Sequence, residues 1–208
     1  MLTLAQTLAF LLAAVLITAT PGPDNLMVLG MGMSRGRAQG IAFGLGCALG
    51  CLSHTLLAVV GVSALIAASP WAFTALKWVG GAYLVWLGVQ ALRSRGTARV
   101  QAGQAPADSL RTLFFKGMLA NAINPKVVLF FLSFLPQFVV PAQGSVGLQL
   151  GLLGVLFTVQ AALLFGLLGY FAGAIGGWLN RRPRAGLWLD RVAGAVFVGL
   201  GLRIILAR

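Results

Sequence analysis

Two charged residues stand inside apolar runs where a membrane-type sequence has little reason to place them. Asp24 follows Thr20-Pro21-Gly22-Pro23 and precedes Asn25, and Lys126 follows Asn121-Ala122-Ile123-Asn124-Pro125. Each comes directly after a proline, which removes a backbone donor and frees carbonyls three to four residues earlier. A carboxylate, an ammonium, the amides of Asn121 and Asn124, and freed backbone groups together suit a zwitterionic ligand. A half-helix N-terminus with Lys126 would take its carboxylate, and Asp24 with the free carbonyls would take its ammonium. Asp24 is also the expected proton carrier. A plainer reading stands beside this one: Asp24 and Lys126 form a buried structural ion pair, or Asp24 only caps the helix that resumes at Asn25. An ionisable group inside a membrane costs about 2.5–3.5 kcal/mol on insertion scales, which makes function the default hypothesis. The expected substrate- and ion-binding residues are therefore Pro21, Gly22, Pro23, Asp24, Asn25, Asn121, Asn124, Pro125 and Lys126. His54, the only histidine, is a possible proton relay or a hydrogen-bonded packing residue.

The chain that must position these groups is built for a bilayer. Of its 208 residues 59% are hydrophobic and 9% charged, and mean hydropathy is +0.95, whereas a soluble surface needs roughly 25% charge. It has no glutamate, and its three aspartates are Asp24, Asp108 and Asp190. Cytosolic enzymes, disulfide scaffolds and disordered tails are excluded. No phosphate loop or nucleophile elbow points to an ATPase or hydrolase. A single histidine without a neighbouring carboxylate makes no metal site. Cys47 and Cys51, one helical turn apart, read as small apolar packers.

Six spans follow from the apolar runs: Leu4–Met33, Gly40–Ala67, Trp71–Leu92, Leu113–Phe138, and one each within Val146–Trp178 and Leu187–Leu206. The first breaks at Pro21–Asn25 and the fourth at Asn124–Pro125. The first span lacks the basic n-region of a cleavable signal and reads as a retained helix. Asp24 precedes Arg35 by eleven residues, or about 16 Å of helix, and Lys126 follows Lys116 by ten, or about 15 Å. Both breaks thus fall at half the depth of an apolar core of about 30 Å. On this reading Asp24 is the only acidic residue within a span. Arg35, Arg37, Arg93, Arg95, Arg99, Arg111, Lys116, Arg181, Arg182, Arg184 and Arg191 flank three alternate loops, and the other two loops carry no basic residue. By the positive-inside rule those three loops are cytoplasmic and both termini face out. The net charge of +12 is then a topology signal, and no nucleic-acid partner is expected. Lys77, Arg203 and Arg208 can snorkel near span ends. Glycines at 32, 36, 40 and 44, at 46 and 50, and at 169, 173 and 177 have the spacing of close helix packing. Trp71, Trp86, Trp178 and Trp188 fit interfacial anchoring.

The segment VGGAYLVWLG (79–88) aligns without a gap with VAGAVFVGLG (192–201), the last span of each half. Spans one and four, the first of each half, share the internal proline break. Three spans per half make the second half enter the membrane inverted. The expected architecture is an all-α polytopic membrane protein of six transmembrane helices. It forms a single membrane domain of two inverted three-helix repeats, 1–105 with a cytoplasmic linker and 106–208, with helices one and four broken near the midplane.

The Thr20–Asn25 segment, GGAYLVWLG and Asn121–Lys126, in that order, resemble the LysE/RhtB family of bacterial amino-acid exporters over nearly the whole chain. The resemblance implies export of amino acids such as threonine, homoserine, leucine or lysine across the cytoplasmic membrane, driven by an ion or potential gradient. Pro-Gly-Pro-Asp looks more like the threonine/homoserine-type branch, which points to small neutral substrates, with H+ as the expected coupling ion and no cofactor. The alternatives are export of another small solute or a metal ion, or a membrane redox transporter of the same superfamily. The last would need a cysteine in each half, and a metal exporter usually carries a histidine-rich loop or acidic spans.

Overall fold

A computed structural model describes residues 2–94 and 108–206. Arg95, Arg99, Arg208 and the expected repeat boundary at 105/106 lie outside them. Among the described residues every regular element is helical. In chain order these are α1 (Leu4–Ala19), α2 (Pro23–Arg35), α3 (Arg37–Leu57), α4 (Ser63–Ala68), α5 (Pro70–Arg93), α6 (Leu110–Ala122), α7 (Pro125–Leu129), α8 (Val146–Tyr170), α9 (Ala172–Arg181) and α10 (Pro183–Leu206). A π turn, Ala58–Val62, carries α3 into α4, and another, Phe130–Phe134, carries α7 into a 3-10 turn at Leu135–Phe138.

Local chemistry sets the boundaries. Thr3 and Gln6 form a capping box that opens α1. Extended backbone at Thr20 and the following Pro21 close it. The first break is narrower than expected: Pro23 occupies the first position of α2, where its missing N–H costs nothing, so Pro23, Asp24 and Asn25 already belong to the helix. Pro125 opens α7 in the same way. The axes bend by 57° between α1 and α2, and by 52° between α6 and the Pro125–Phe138 segment. Gly36 is not a packing glycine. It joins α2 to α3 at φ +103°, a conformation that L side chains rarely adopt. Nor do Gly173 and Gly177 pack, since a Cβ on either would meet open space. Two other boundaries differ from expectation: α8 and α9 are separate helices parted at Phe171, and α10 begins at Pro183. Asp190 lies on α10, inside the expected Leu187–Leu206 range itself, so Asp24 is not the only acidic residue of a spanning segment; the Asp190 carboxylate accepts from Ser94 Oγ at 2.6 Å.

The central element is α3. On one side it runs parallel to α6, with Gly46 against Phe114 and Gly50 against Met118 and Asn121. On the other it runs antiparallel to α8, with Gly40 against Gly169, Gly44 against Phe165 and Thr55 against Gly154. Lost side chains let backbones approach where apolar lipid gives helices no reason to associate. The helices α5 and α10 form a second antiparallel pair. A Cβ on Gly81 would lie 2.9 Å from the Gly201 carbonyl oxygen, and one on Gly201 would lie 2.6 Å from that of Gly81. Gly88 and Gly194 face one another equally closely, at 2.7 Å each way.

Phe130, Phe131, Phe134 and Phe157 stack at centroid separations of 4.9–6.0 Å in the buried centre. The outside is as apolar as the inside: Leu8 and Leu12 on α1, Leu56 on α3, Val159, Leu163 and Leu167 on α8 are all exposed. Two helical segments, Arg37–Leu65 and Val146–Tyr170, are long and apolar enough to cross a membrane, and the number is four if each bent pair is one span. A water-facing fold would not leave such patches bare. This is a membrane protein.

Candidate functional site

The two breaks meet. Thr20 ends α1 with its carbonyl directed at Lys126 Nζ, which donates to it at 3.0 Å. The last carbonyls of a helix have no partner within it and form its negative end, so an ammonium belongs there. Thr18 O, also exposed by the break, accepts from Asn25 Nδ2 at 2.8 Å. The carbonyls expected to be free for a ligand's ammonium are therefore engaged from within the protein in this conformation.

At the other break, Asn124 closes its own helix start: its Oδ1 accepts from the backbone N–H of Lys126 at 3.1 Å. Asn121, in the last turn of α6, is the hub. Its Nδ2 donates to Asp24 Oδ2 at 2.7 Å, and its Oδ1 lies 3.5 Å from Cys51 Sγ. Its backbone carbonyl accepts from Asn124 N–H at 2.9 Å and from His54 Nε2 at 3.0 Å. A carbonyl can only accept, so His54 carries its proton on Nε2, and Nδ1 is left buried without a partner. His54 sits behind the site against Phe131 and does not line the cavity.

Asp24, Asn25, Asn121, Asn124 and Lys126 are all buried. Among the described residues no ion pair joins Asp24 to Lys126. The expectation of a structural pair thus gives way to two separate poles. Lys126 Nζ lies beside the start of α2, where a Cβ on Gly22 would come within 3.1 Å of it. No side chain caps that helix start. The positive pole thus combines a lysine of one break with the open N-terminus of the other. The negative pole combines Asp24 of α2 with the amide of Asn121 from α6. Between them lies a cavity with about 20 Å³ for the centres of water molecules. That is room for a water or two and too little for an amino acid.

Gly22, Asp24, Asn25, Asn121, Asn124 and Lys126 line this cavity, whereas Pro21, Pro23 and Pro125 do not; the prolines shape the breaks. The remaining wall is Ile17, Thr18, Cys51, Val127, Phe130, Phe157 and Phe165. Of these only Cys51 stood out in sequence, and it read as a packing residue. Thr18 is fixed by Gln160 Nε2, which donates to its hydroxyl at 2.9 Å.

At the far ends of α2 and α6, away from the cavity, Asp108 pairs with Lys116 at 2.9 Å and Arg35 at 3.3 Å. The hydrogen bond from Lys116, ahead of that from Arg35, holds its carboxyl below the ordinary value of 3.8.

The profile of the LysE type translocators matches residues 15–208. The chain belongs to this family. It is a transport protein and not an enzyme. It is 35% identical to an uncharacterized membrane protein of Pseudomonas aeruginosa over 95% of this chain and 94% of that one. A homoserine/homoserine lactone efflux protein of Salmonella typhi is 30% identical over 96% of each chain. A threonine efflux protein of Escherichia coli is 30% identical over 91% of this chain and 92% of its own. No solved structure matches the chain.

Proposed function

We propose that this family member exports small neutral amino acids, of the threonine, homoserine or leucine kind, across the bacterial inner membrane by alternating access. The observation that carries the reading is the pair of buried charges, not joined by an ion pair, on one small cavity. A buried charge without a direct ion-pair partner is costly, and a zwitterion supplies both partners at once. Its carboxylate fits between Lys126 and the open start of α2, and its ammonium fits against Asp24, with the Asn121 amide steering the carboxylate. The phenylalanine wall, with the Thr18 hydroxyl beside it, suits a short uncharged side chain. The relatives' printed names, homoserine and threonine efflux, agree with this substrate class.

Asp24 is the proposed coupling group, releasing the substrate ammonium when it takes a proton, so that a proton gradient or the membrane potential drives export. His54, one hydrogen bond from Asn121, is the proposed relay. In this reading α5 and α10 are spans three and six, the count is six, and the two halves are inverted repeats. The reciprocal contacts Gly81–Gly201 and Gly88–Gly194 support it, because a two-fold axis produces such pairing. The basic loops then face the cytoplasm and both termini face out.

Dipeptide feeding of cells overproducing the protein tests the function, with every amino acid in the medium quantified. At least one small neutral amino acid should accumulate outside faster than in cells carrying an Asp24→Asn chain. A metal ion or another solute responding while no amino-acid pool does would overturn the reading.

A further inference from the structure

We propose that the groove between α9 and α10 holds one anionic phospholipid. The two helices join at Arg182 and touch only slightly: α9 packs mainly on α2, and α10 on α5. The gap between them is a groove of about 750 Å³, lined by Trp178, Arg182, Arg184, Trp188, Leu189 and Val192.

The lining is ordered by polarity. Arg182 and Arg184 stand at the turn between the two helices, both exposed. Trp178 and Trp188 come four residues before Arg182 and four after Arg184, and both rings are exposed. Val192 is eight residues beyond Arg184, or about 12 Å farther along α10. A cationic rim thus leads past two aromatic side walls to an apolar floor. Tryptophans of this kind sit at headgroup level in a bilayer, and paired guanidiniums bind phosphate in a fixed fork.

The charge is uncompensated by the wall itself, since among the described residues no acidic one lines the groove. The nearest carboxylate in sequence, Asp190, accepts from Ser94 on α5. A free anion would satisfy the arginines and leave Leu189 and Val192 bare. An uncharged lipid would cover the floor and leave the arginines without a phosphate partner of full charge. A molecule with an anionic head and apolar chains satisfies both ends, and the bilayer supplies it at the right height. This inference does not depend on which solute the central cavity takes.

The test is native mass spectrometry of the full chain from micelles holding equal amounts of phosphatidylglycerol and phosphatidylcholine. The expected result is retention of phosphatidylglycerol about tenfold above phosphatidylcholine. R182Q/R184Q should reduce that preference to near parity, and excess inorganic phosphate should not displace the lipid. Trp178→Leu with Trp188→Leu, which spares the charges, should also weaken retention, so the proposal stays testable if the arginine variant folds poorly. Equal retention of the two lipids by the wild-type chain would overturn it. So would displacement by phosphate, or a dimer that the arginine substitutions dissociate, which would make the occupant a free anion or a second copy.

Discussion

At the first break Gly22 is the N-cap, Pro23 the first helical residue and Asp24 the second; at the second, Asn124, Pro125 and Lys126 hold the same three places. The backbone plan is shared and the side chains are opposed. Asp24 sits where a helix favours negative charge, and the uncapped N–H groups beside it stay open to a ligand. Lys126 sits where a helix disfavours positive charge. With Asn124 capping that helix start, the lysine reaches across to the C-terminal carbonyl of α1, where a cation is favoured. The break geometry provides the cavity, and the difference in charge gives it a direction.

The sharpest way to break this comparison is Asp24→Asn, which keeps size and hydrogen bonding but cannot titrate. Gradient-driven export in proteoliposomes should fall to background at normal expression, while substrate counterflow survives. Full export would remove the carboxylate from coupling. Lys126→Gln should act next most strongly, raising KM about tenfold before it lowers the maximal rate. Combined with Asp24→Asn, the losses should be less than additive, because both residues serve one ligand. Strict additivity would mean that the two breaks work separately.

A smaller contrast lies at the caps. Asn124→Ala removes a side-chain cap and should lower stability by about 1 kcal/mol, read as a drop in Tm. Gly22→Ala removes no cap bond but crowds Lys126 Nζ, so its main effect should appear in substrate affinity. If the two variants behave alike, the difference drawn between the breaks fails. The smallest effect belongs to Asp108→Asn, remote from both breaks. The folded carboxyl titrates below 3.8, so its ion pairs are complete above that value and are lost as pH falls through the lowered one. Export by this variant relative to wild type should therefore stay constant between about pH 5 and 8. A difference that grows across that window would tie Asp108 to the transport cycle.

Sequence reasoning reaches the breaks because proline and charge are rare signals in an apolar chain. Asp24, Asn121, Asn124 and Lys126 were legible for that reason, and the depth argument brought the two segments to one level. Cys51, Thr18, Phe157 and Phe165 were not. On helices apolar all round, a residue facing a cavity has the same type and spacing as one facing lipid or core. The glycine stripes misled in the same way: Gly40 and Gly169 touch, whereas Gly173 and Gly177 face nothing. The Phe171 boundary carries no proline or polar cluster, so no breaker signal marked it. Asp108 gathers Lys116 from its own half and Arg35 from the other, a contact that only the folded chain brings within reach.

The glycine seam between α5 and α10 has a consequence for how the molecule is held together. Its close glycine contacts, Gly81–Gly201 and Gly88–Gly194, occur twice, once from each side. Such a joint does not need a covalent tether to find its register, since recognition is mutual. Two separate polypeptides, one ending after α5 and one starting before α6, should then join through this seam when co-expressed, which co-purification of the pieces would test.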